Sequence, residues 1–85
     1  MPEEKLRIVA LFKEIHAGNK GAFDELFFGY YDKLLAFARQ YTKQLETAEE
    51  IVSELFVKIW LKRAALLTVN NPEVYLYVAI KNACL

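Results

Sequence analysis

The sequence has few of the residues on which several classes of protein depend. It contains one cysteine, Cys84, and one histidine, His16, among 85 residues. One cysteine excludes an internal disulfide framework and a Cys-only zinc site. One histidine argues against a His-rich metal site. With three glycines and two prolines the chain is neither collagen-like nor of low complexity.

Long hydrophobic runs and targeting segments are also missing. Charged residues interrupt every apolar stretch, so the sequence predicts no membrane span, and the first residues lack the pattern of a signal peptide. With so little cysteine, the simplest expected location is a reducing cytoplasm. A hydrophobic content of 55% nonetheless supplies enough apolar surface for one folded domain and excludes a disordered tail.

Charge is balanced over the whole chain but unevenly distributed. Eleven basic and eleven acidic residues give formal neutrality, which argues against nonspecific nucleic-acid binding over the whole surface. Residues 1–57 hold seven Lys and Arg against ten Asp and Glu, whereas residues 58–85 hold four against one. An acidic amino-terminal part and a basic carboxyl-terminal part of the chain suggest two different partner surfaces.

Apolar spacing and turn residues predict four helices. The first covers residues 3–15, with Leu6, Val9 and either Phe12 or Lys13 on its apolar stripe, and stops at Gly18. The second runs from an Asn19 N-cap to about residue 44. The expected fold class is therefore all-α, a small bundle of about four helices.

The other two helices have their own start signals. Thr47 and Glu50 form a capping-box pattern at the start of the third helix. Residues 62–71 are expected to be a helix end and a loop, after which Asn71 and Pro72 start the fourth helix. The expected core comes from the second to fourth helices and comprises Leu26, Phe27, Tyr30, Leu34, Ile51, Leu55, Ile59, Leu76, Ala79 and Ile80.

Little in the sequence points to catalysis. There is no phosphate-binding glycine loop and no Ser/His/Asp arrangement, and we predict no catalytic, metal or cofactor site. His16 is expected to complement a helix end, and Cys84 to pack on an apolar face. The chain is therefore expected not to be an enzyme.

Binding chemistry is better supported. Glu50, Ser53, Glu54 and Val57 share one face of the third helix, which suits a basic and partly apolar helix or remains an ordinary solvated face. Four cations could neutralise phosphates, namely Lys58, Lys62, Arg63 and Lys81, and Asn82, Tyr75 and Tyr77 could bond or stack an unpaired base. We expect these residues to lie together, so that one end of the molecule carries the cations and the Asn82 amide. Taken singly, these residues also suit helix ends and core edges.

The order of these motifs resembles one family. Residues 47–60, TAEEIVSELFVKIW, are similar to the core-polymerase-binding segment of extracytoplasmic-function sigma factors. Residues 18–34 resemble that family's opening helix, and residues 74–82 resemble its last segment with a closing Lys-Asn pair. Ser53 stands where the family usually has Gln, and Val78 where some members have Arg.

The resemblance implies a sigma region 2 domain over residues 1–85, without the family's C-terminal helix-turn-helix domain. It implies docking on the clamp helices of the largest RNA polymerase subunit, and melting of the promoter minus-ten element by capture of its non-template strand. The polymerase contacts would be Glu50, Ser53, Glu54 and Val57, and the DNA contacts Lys62, Arg63, Asn70, Asn71, Tyr75, Lys81 and Asn82. An anti-sigma factor is an expected partner, and self-association of the fragment is a further possibility. The alternative is a helical protein–protein interaction module without DNA binding.

Overall fold

The computed structural model describes the backbone of residues 2–85 and the side chains of residues 6–85. Within this part of the chain all regular secondary structure is helical. Four α-helices are present, α1 (Pro2–His16), α2 (Lys20–Ala38), α3 (Leu45–Leu61) and α4 (Pro72–Cys84), and a 3-10 helix (Arg63–Thr68) joins α3 to α4. The predicted all-α bundle is confirmed.

The first helix buries a different stripe from the predicted one. Ile8, Leu11, Phe12 and Ile15 are buried, whereas Leu6 is 71% exposed. Their spacing of three and four residues is that of one helix face. The predicted stripe of Leu6 and Val9 is wrong because α1 packs against both α2 and the 3-10 helix, which selects the more apolar side.

The stop of α1 at Gly18 is confirmed. Gly18 has φ 93°, a left-handed conformation that costs other L-residues about 1–2 kcal/mol. Its N–H donates to the carbonyl of Ile15 at 2.9 Å, and the N–H of Asn19 donates to Glu14 at 2.9 Å. This pair of bonds is a Schellman motif, and it turns the chain directly into α2.

The second helix begins as predicted and ends earlier. The Asn19 side chain accepts a hydrogen bond from the N–H of Ala22 at 3.1 Å, so the N-cap is confirmed. The helix ends at Ala38, not near residue 44, and the N–H of Tyr41 bonds to the Ala38 carbonyl in a tight turn. Ala38 is the last buried residue of the stripe, and the exposed Gln40 offers no packing that would extend the helix.

The third helix begins at Leu45, before the predicted capping box. Gln44 is the N-cap residue, and its carbonyl accepts from the N–H of Ala48 at 3.1 Å. Thr47 is therefore already helical, and its hydroxyl donates to the Gln44 side chain at 3.3 Å. The predicted box of Thr47 and Glu50 is wrong, since an N-cap residue needs an extended backbone.

The link between α3 and α4 is more ordered than predicted. Most of residues 62–71, expected to be a loop, form the 3-10 helix, and Leu66 anchors it with 4% exposure. The start of α4 is confirmed. The Asn71 side chain accepts from the N–H of Val74 at 3.2 Å, and Pro72 occupies the first helical position.

Ring contacts between α2 and α3 fix their relative direction. Phe23, near the start of α2, lies 5.4 Å from Trp60, near the end of α3. Phe27, one turn later on α2, lies 5.0 Å from Phe56, one turn earlier on α3. The two helices therefore run in opposite directions.

The fourth helix follows the direction of α2. The Tyr30 hydroxyl donates to the Glu73 carboxylate at 3.0 Å, and Phe37 lies 5.1 Å from Tyr77. The second contact lies closer than the first to the carboxyl end of both helices. The carboxyl end of α4 therefore lies toward the carboxyl end of α2, whereas the carboxyl end of α3 lies toward the start of α2.

The core includes α1 as well as the three helices expected to form it. Among the predicted core residues Phe27, Ile51 and Ala79 are half-buried, and the others are buried, namely Leu26, Tyr30, Leu34, Leu55, Ile59, Leu76 and Ile80. The omission of α1 from the expected core is wrong, because Ile8 and Ile15 are almost fully buried.

Candidate functional site

One side of α3 faces solvent and carries the acidic residues predicted to bind a partner. Glu50, Ser53, Glu54 and Val57 are all exposed, and we call these four residues the α3 outer face. Val57 is 55% exposed although apolar. A solvent-facing apolar residue one helical turn from a carboxylate is able to contact a basic and partly apolar surface.

Further acids enlarge the negative charge of this side. Glu46 and Glu49 are exposed in the first turns of α3, and Lys58 is the basic residue in its last turn. Carboxylates spaced three or four residues apart on a helix are neighbours. The amino half of exposed α3 is thus acidic, and it favours a cationic partner.

An aromatic cluster holds α3 against α2 beneath this face. Phe56 is buried and lies 6.2 Å from Phe23 and 5.0 Å from Phe27 in edge-to-face contacts. Such ring pairs contribute about 0.5–1.5 kcal/mol each beyond their buried area. The α3 outer face is therefore presented on a firmly packed helix.

The first predicted DNA contacts follow the end of α3. Lys62 is exposed, whereas Arg63 is half-buried. The Arg63 guanidinium lies 4.3 Å from the centre of the Trp60 ring, and its Nη1 donates to the Trp60 carbonyl at 2.8 Å. Arg63 thus caps α3, and its remaining donors are those that could reach a ligand.

Three further predicted contacts lie around the start of α4. Asn70 is exposed and lines a cavity of about 80 Å³ between α1 and the 3-10 helix. Asn71 is exposed but its side-chain oxygen caps α4. Tyr75 lies 6.2 Å from Phe12 in an edge-to-face contact. Of these three, Asn70 has no role in capping or core packing.

The last two predicted contacts lie elsewhere. Lys81 and Asn82 are exposed near the carboxyl end of α4. Asn82 follows Pro72 by ten residues, which corresponds to about 15 Å along a helix. The expectation that the cations and the Asn82 amide lie together at one end of the molecule is wrong. The direction of α4 leads away from the end of α3, and Lys81 and Asn82 lie at the far end of α4.

A polar contact that the sequence did not reveal ties α1 to the segment after α3. His16 Nδ1 lies 3.0 Å from the Arg63 carbonyl oxygen, within hydrogen-bonding distance. The predicted role of His16 at a helix end therefore extends to holding the 3-10 helix. No local pattern signals a contact between residues 47 positions apart.

A groove between α3 and α4 is the other feature missed. It has a volume of about 240 Å³, and Glu54 and Tyr75 are among its lining residues. The sequence places these two residues in different sets, one for polymerase and one for DNA. The structure brings them to one concavity.

The ionisable groups with shifted pKa values belong to neither predicted set. Arg7 on α1 donates two hydrogen bonds to the Glu25 carboxylate on α2, which lowers the pKa of Glu25 and raises that of Arg7. Burial raises the pKa of the Cys84 thiol, which keeps it protonated as expected of a packing residue. These shifts are structural and do not indicate a reaction site.

Comparison with protein families decides what this helical arrangement is. Residues 26–85 match the model of the family described as sigma-70 region 2. The chain belongs to the sigma-70 region 2 family. No curated protein and no solved structure matches the chain significantly. Domains of this family serve sigma factors in transcription initiation, with RNA polymerase core and promoter DNA as partners, and the family is not one of enzymes.

The match covers α3, the 3-10 helix, α4 and most of α2, and α1 lies outside it. In this sigma region 2 domain α1 nevertheless supplies core residues and the contact from His16 to Arg63. Among the described helices, none is long and apolar enough to cross a membrane.

Proposed function

We propose that this chain is the region 2 domain of an extracytoplasmic-function sigma factor that docks on RNA polymerase core through the α3 outer face. The observation that carries the proposal is the shared exposure of Glu50, Ser53, Glu54 and Val57 on one side of a well-packed helix. Their partner would be the clamp helices of the largest polymerase subunit. The location would be the cytoplasm, where the polymerase acts.

Electrostatics supports docking by this face. Four glutamates, Glu46, Glu49, Glu50 and Glu54, are exposed on α3. Complementary charge speeds association and orients the partners, and the exposed Val57 adds apolar contact. An anti-sigma factor that covers the same face would compete with polymerase. Two fragments could also associate through Val57 and the nearby Leu61, which is 71% exposed.

On the DNA side, we propose that the domain holds the non-template strand of the opened minus-ten element. Lys62, Arg63, Asn70, Asn71 and Tyr75 would contact the strand around the start of α4, and Lys81 and Asn82 would contact it near the end. Because these groups are separated along α4, the strand would follow the helix and not end in one pocket. Cations would bind the phosphates of the strand. Contacts of a base with aromatic and amide groups would offset part of the few kcal/mol that unstacking the base costs.

The direct test of polymerase docking is a charge reversal at Glu50, which lies on the α3 outer face and outside the α3–α4 groove. We expect Glu50→Lys to weaken binding to core RNA polymerase of the source bacterium by about tenfold or more, because it opposes a basic surface. Titration of the labelled chain with core enzyme measures this effect. Asp32→Lys, the same kind of reversal at an exposed acid on α2, is the matched control and should bind normally. Equal binding by all three proteins would remove the α3 outer face from the interface.

A further inference from the structure

The first helix contacts residues 62–75, which carry most of the proposed DNA contacts, at two places. Near the start of this segment, His16 Nδ1 lies 3.0 Å from the Arg63 carbonyl oxygen. Near its end, the Phe12 ring lies 6.2 Å from the Tyr75 ring in the first turns of α4. Between these contacts α1 packs against the 3-10 helix. The family match begins after α1 and therefore does not assign a role to these contacts.

Arg63 is held both at its backbone and at its side chain. Because a carbonyl oxygen only accepts hydrogen bonds, the His16 ring bonds to the Arg63 carbonyl through a protonated Nδ1. The Arg63 guanidinium lies 4.3 Å from the centre of the Trp60 ring, and its Nη1 donates to the Trp60 carbonyl at 2.8 Å. A side chain held in this way has lost much of its freedom before a ligand arrives, so binding costs less entropy.

The guanidinium of Arg63 retains donors for a ligand. An arginine side chain has several N–H groups, and the bond to the Trp60 carbonyl uses one of those on Nη1. Within residues 6–85 the ion pairs involve other residues and leave Arg63 without an acidic partner. The adjacent Lys62 is exposed and adds a second positive charge. This combination suits a phosphate oxygen, which arginine binds through paired hydrogen bonds.

We propose that His16 is a positioning residue for DNA binding. It holds the Arg63 backbone so that the guanidinium stays over the Trp60 ring and binds a phosphate of the captured strand. The inference rests on the proposed function, since it requires Arg63 to contact the non-template strand. It goes beyond that contact because it gives α1 a part in DNA binding, with His16 acting through Arg63 and not touching the strand.

The single tryptophan of the chain, Trp60, reports the position of Arg63 directly. His16→Ala removes the bond to the Arg63 carbonyl, and we expect the fluorescence emission of Trp60 to change as the guanidinium moves off the ring. His16→Asn is the matched control, because its side-chain amide can donate to the same carbonyl, and it should restore the emission. Circular dichroism and thermal unfolding check the fold of each variant.

Binding to a fluorescein-labelled oligothymidine over a series of salt concentrations tests the effect on DNA. We expect His16→Ala to bind about fivefold more weakly, the effect of one hydrogen bond, and His16→Asn to bind as the unaltered chain does. The slope of log affinity against log salt should become shallower in His16→Ala by up to about 0.7, the contribution of one phosphate contact on a single strand. Arg63→Gln should also bind more weakly, and adding His16→Ala to it should cause little further loss, since both residues act through one contact.

The results separate this inference from the proposed function. Weak binding by Arg63→Gln, combined with normal binding or unchanged Trp60 emission in folded His16→Ala, overturns the role of His16 and leaves the Arg63 contact intact. Normal binding by Arg63→Gln, or no binding by the unaltered chain, overturns both. Equal losses from His16→Ala with and without Arg63→Gln would mean that His16 acts on the fold alone, which also overturns the inference. Should His16→Ala or Arg63→Gln fail to fold, His16→Leu and Arg63→Met, which keep apolar bulk at the two positions, take their places.

Discussion

The α3 outer face and the segment between α3 and α4 differ in what their polar residues do within the fold. Glu50, Ser53 and Glu54 point into solvent from a helix that the aromatic cluster holds in place. In the segment that follows, Arg63 caps α3 over the Trp60 ring, and Asn71 caps α4. One region leaves its polar side chains in solvent, and the other also uses its polar side chains to hold the chain.

This difference separates two kinds of mutational effect. A change on the α3 outer face should alter binding and leave folding nearly unchanged. A change between α3 and α4 should alter both together, so that a loss of DNA binding there cannot be interpreted without a stability measurement.

The largest effect on stability is expected at Leu66, the buried anchor of the 3-10 helix. Leu66→Ala should lower the free energy of unfolding by about 3 kcal/mol, through lost burial and the cavity left behind. Leu67→Ala, at a neighbour that is 59% exposed, is the matched control and should cost less than about 0.5 kcal/mol. Urea unfolding measures both. Equal losses at the two positions would show that the 3-10 helix is not anchored by Leu66.

An intermediate effect is expected at Asn71, whose side chain accepts from the N–H of Val74. Asn71→Ala should cost about 1 kcal/mol because the N-cap of α4 is lost. The adjacent Asn70, exposed and not a cap, provides the same substitution without that loss, so Asn70→Ala should leave the unfolding midpoint nearly unchanged. The comparison would break down if Asn70→Ala proved the more destabilising of the two.

The smallest effect on stability is expected at Glu50, despite its proposed importance for binding. Glu50→Lys should change the free energy of unfolding by less than about 0.5 kcal/mol, because the residue is exposed. The substitution also removes the repulsion between Glu50 and the like charges of Glu46 and Glu54, each four residues away. Thermal unfolding measures this change. A loss above about 2 kcal/mol would mean that Glu50 serves the fold, and its binding result would need another explanation.

Features that depend on local chemistry were predictable from the sequence. The caps Asn19 and Asn71 and the left-handed Gly18 follow from conformational preferences of single residues. The exposure of Glu50 and Glu54 follows from helical periodicity, which places them opposite the buried Val52 and Ile59. The spacing of residues within one helix is enough to predict which of them share a face.

Features that depend on packing between helices were not predictable from the sequence. The separation of Arg63 from Asn82 follows from the direction of α4, which contacts with α2 decide. The α3–α4 groove is lined by Ala79 and Ala83 on its α4 side, and two small apolar residues in a sequence give no sign of an unfilled space. The capping box at Thr47 failed because the helix begins two residues earlier, at Leu45.

Site-specific crosslinking tests the central claim, docking of RNA polymerase on the α3 outer face, most directly. A photoreactive benzoylphenylalanine placed at Val57, the exposed apolar residue of that face, should crosslink to the largest subunit of core RNA polymerase. The same group placed at Ala36, exposed on α2, should give little or no product. A crosslink from position 36 with none from position 57 would contradict the account.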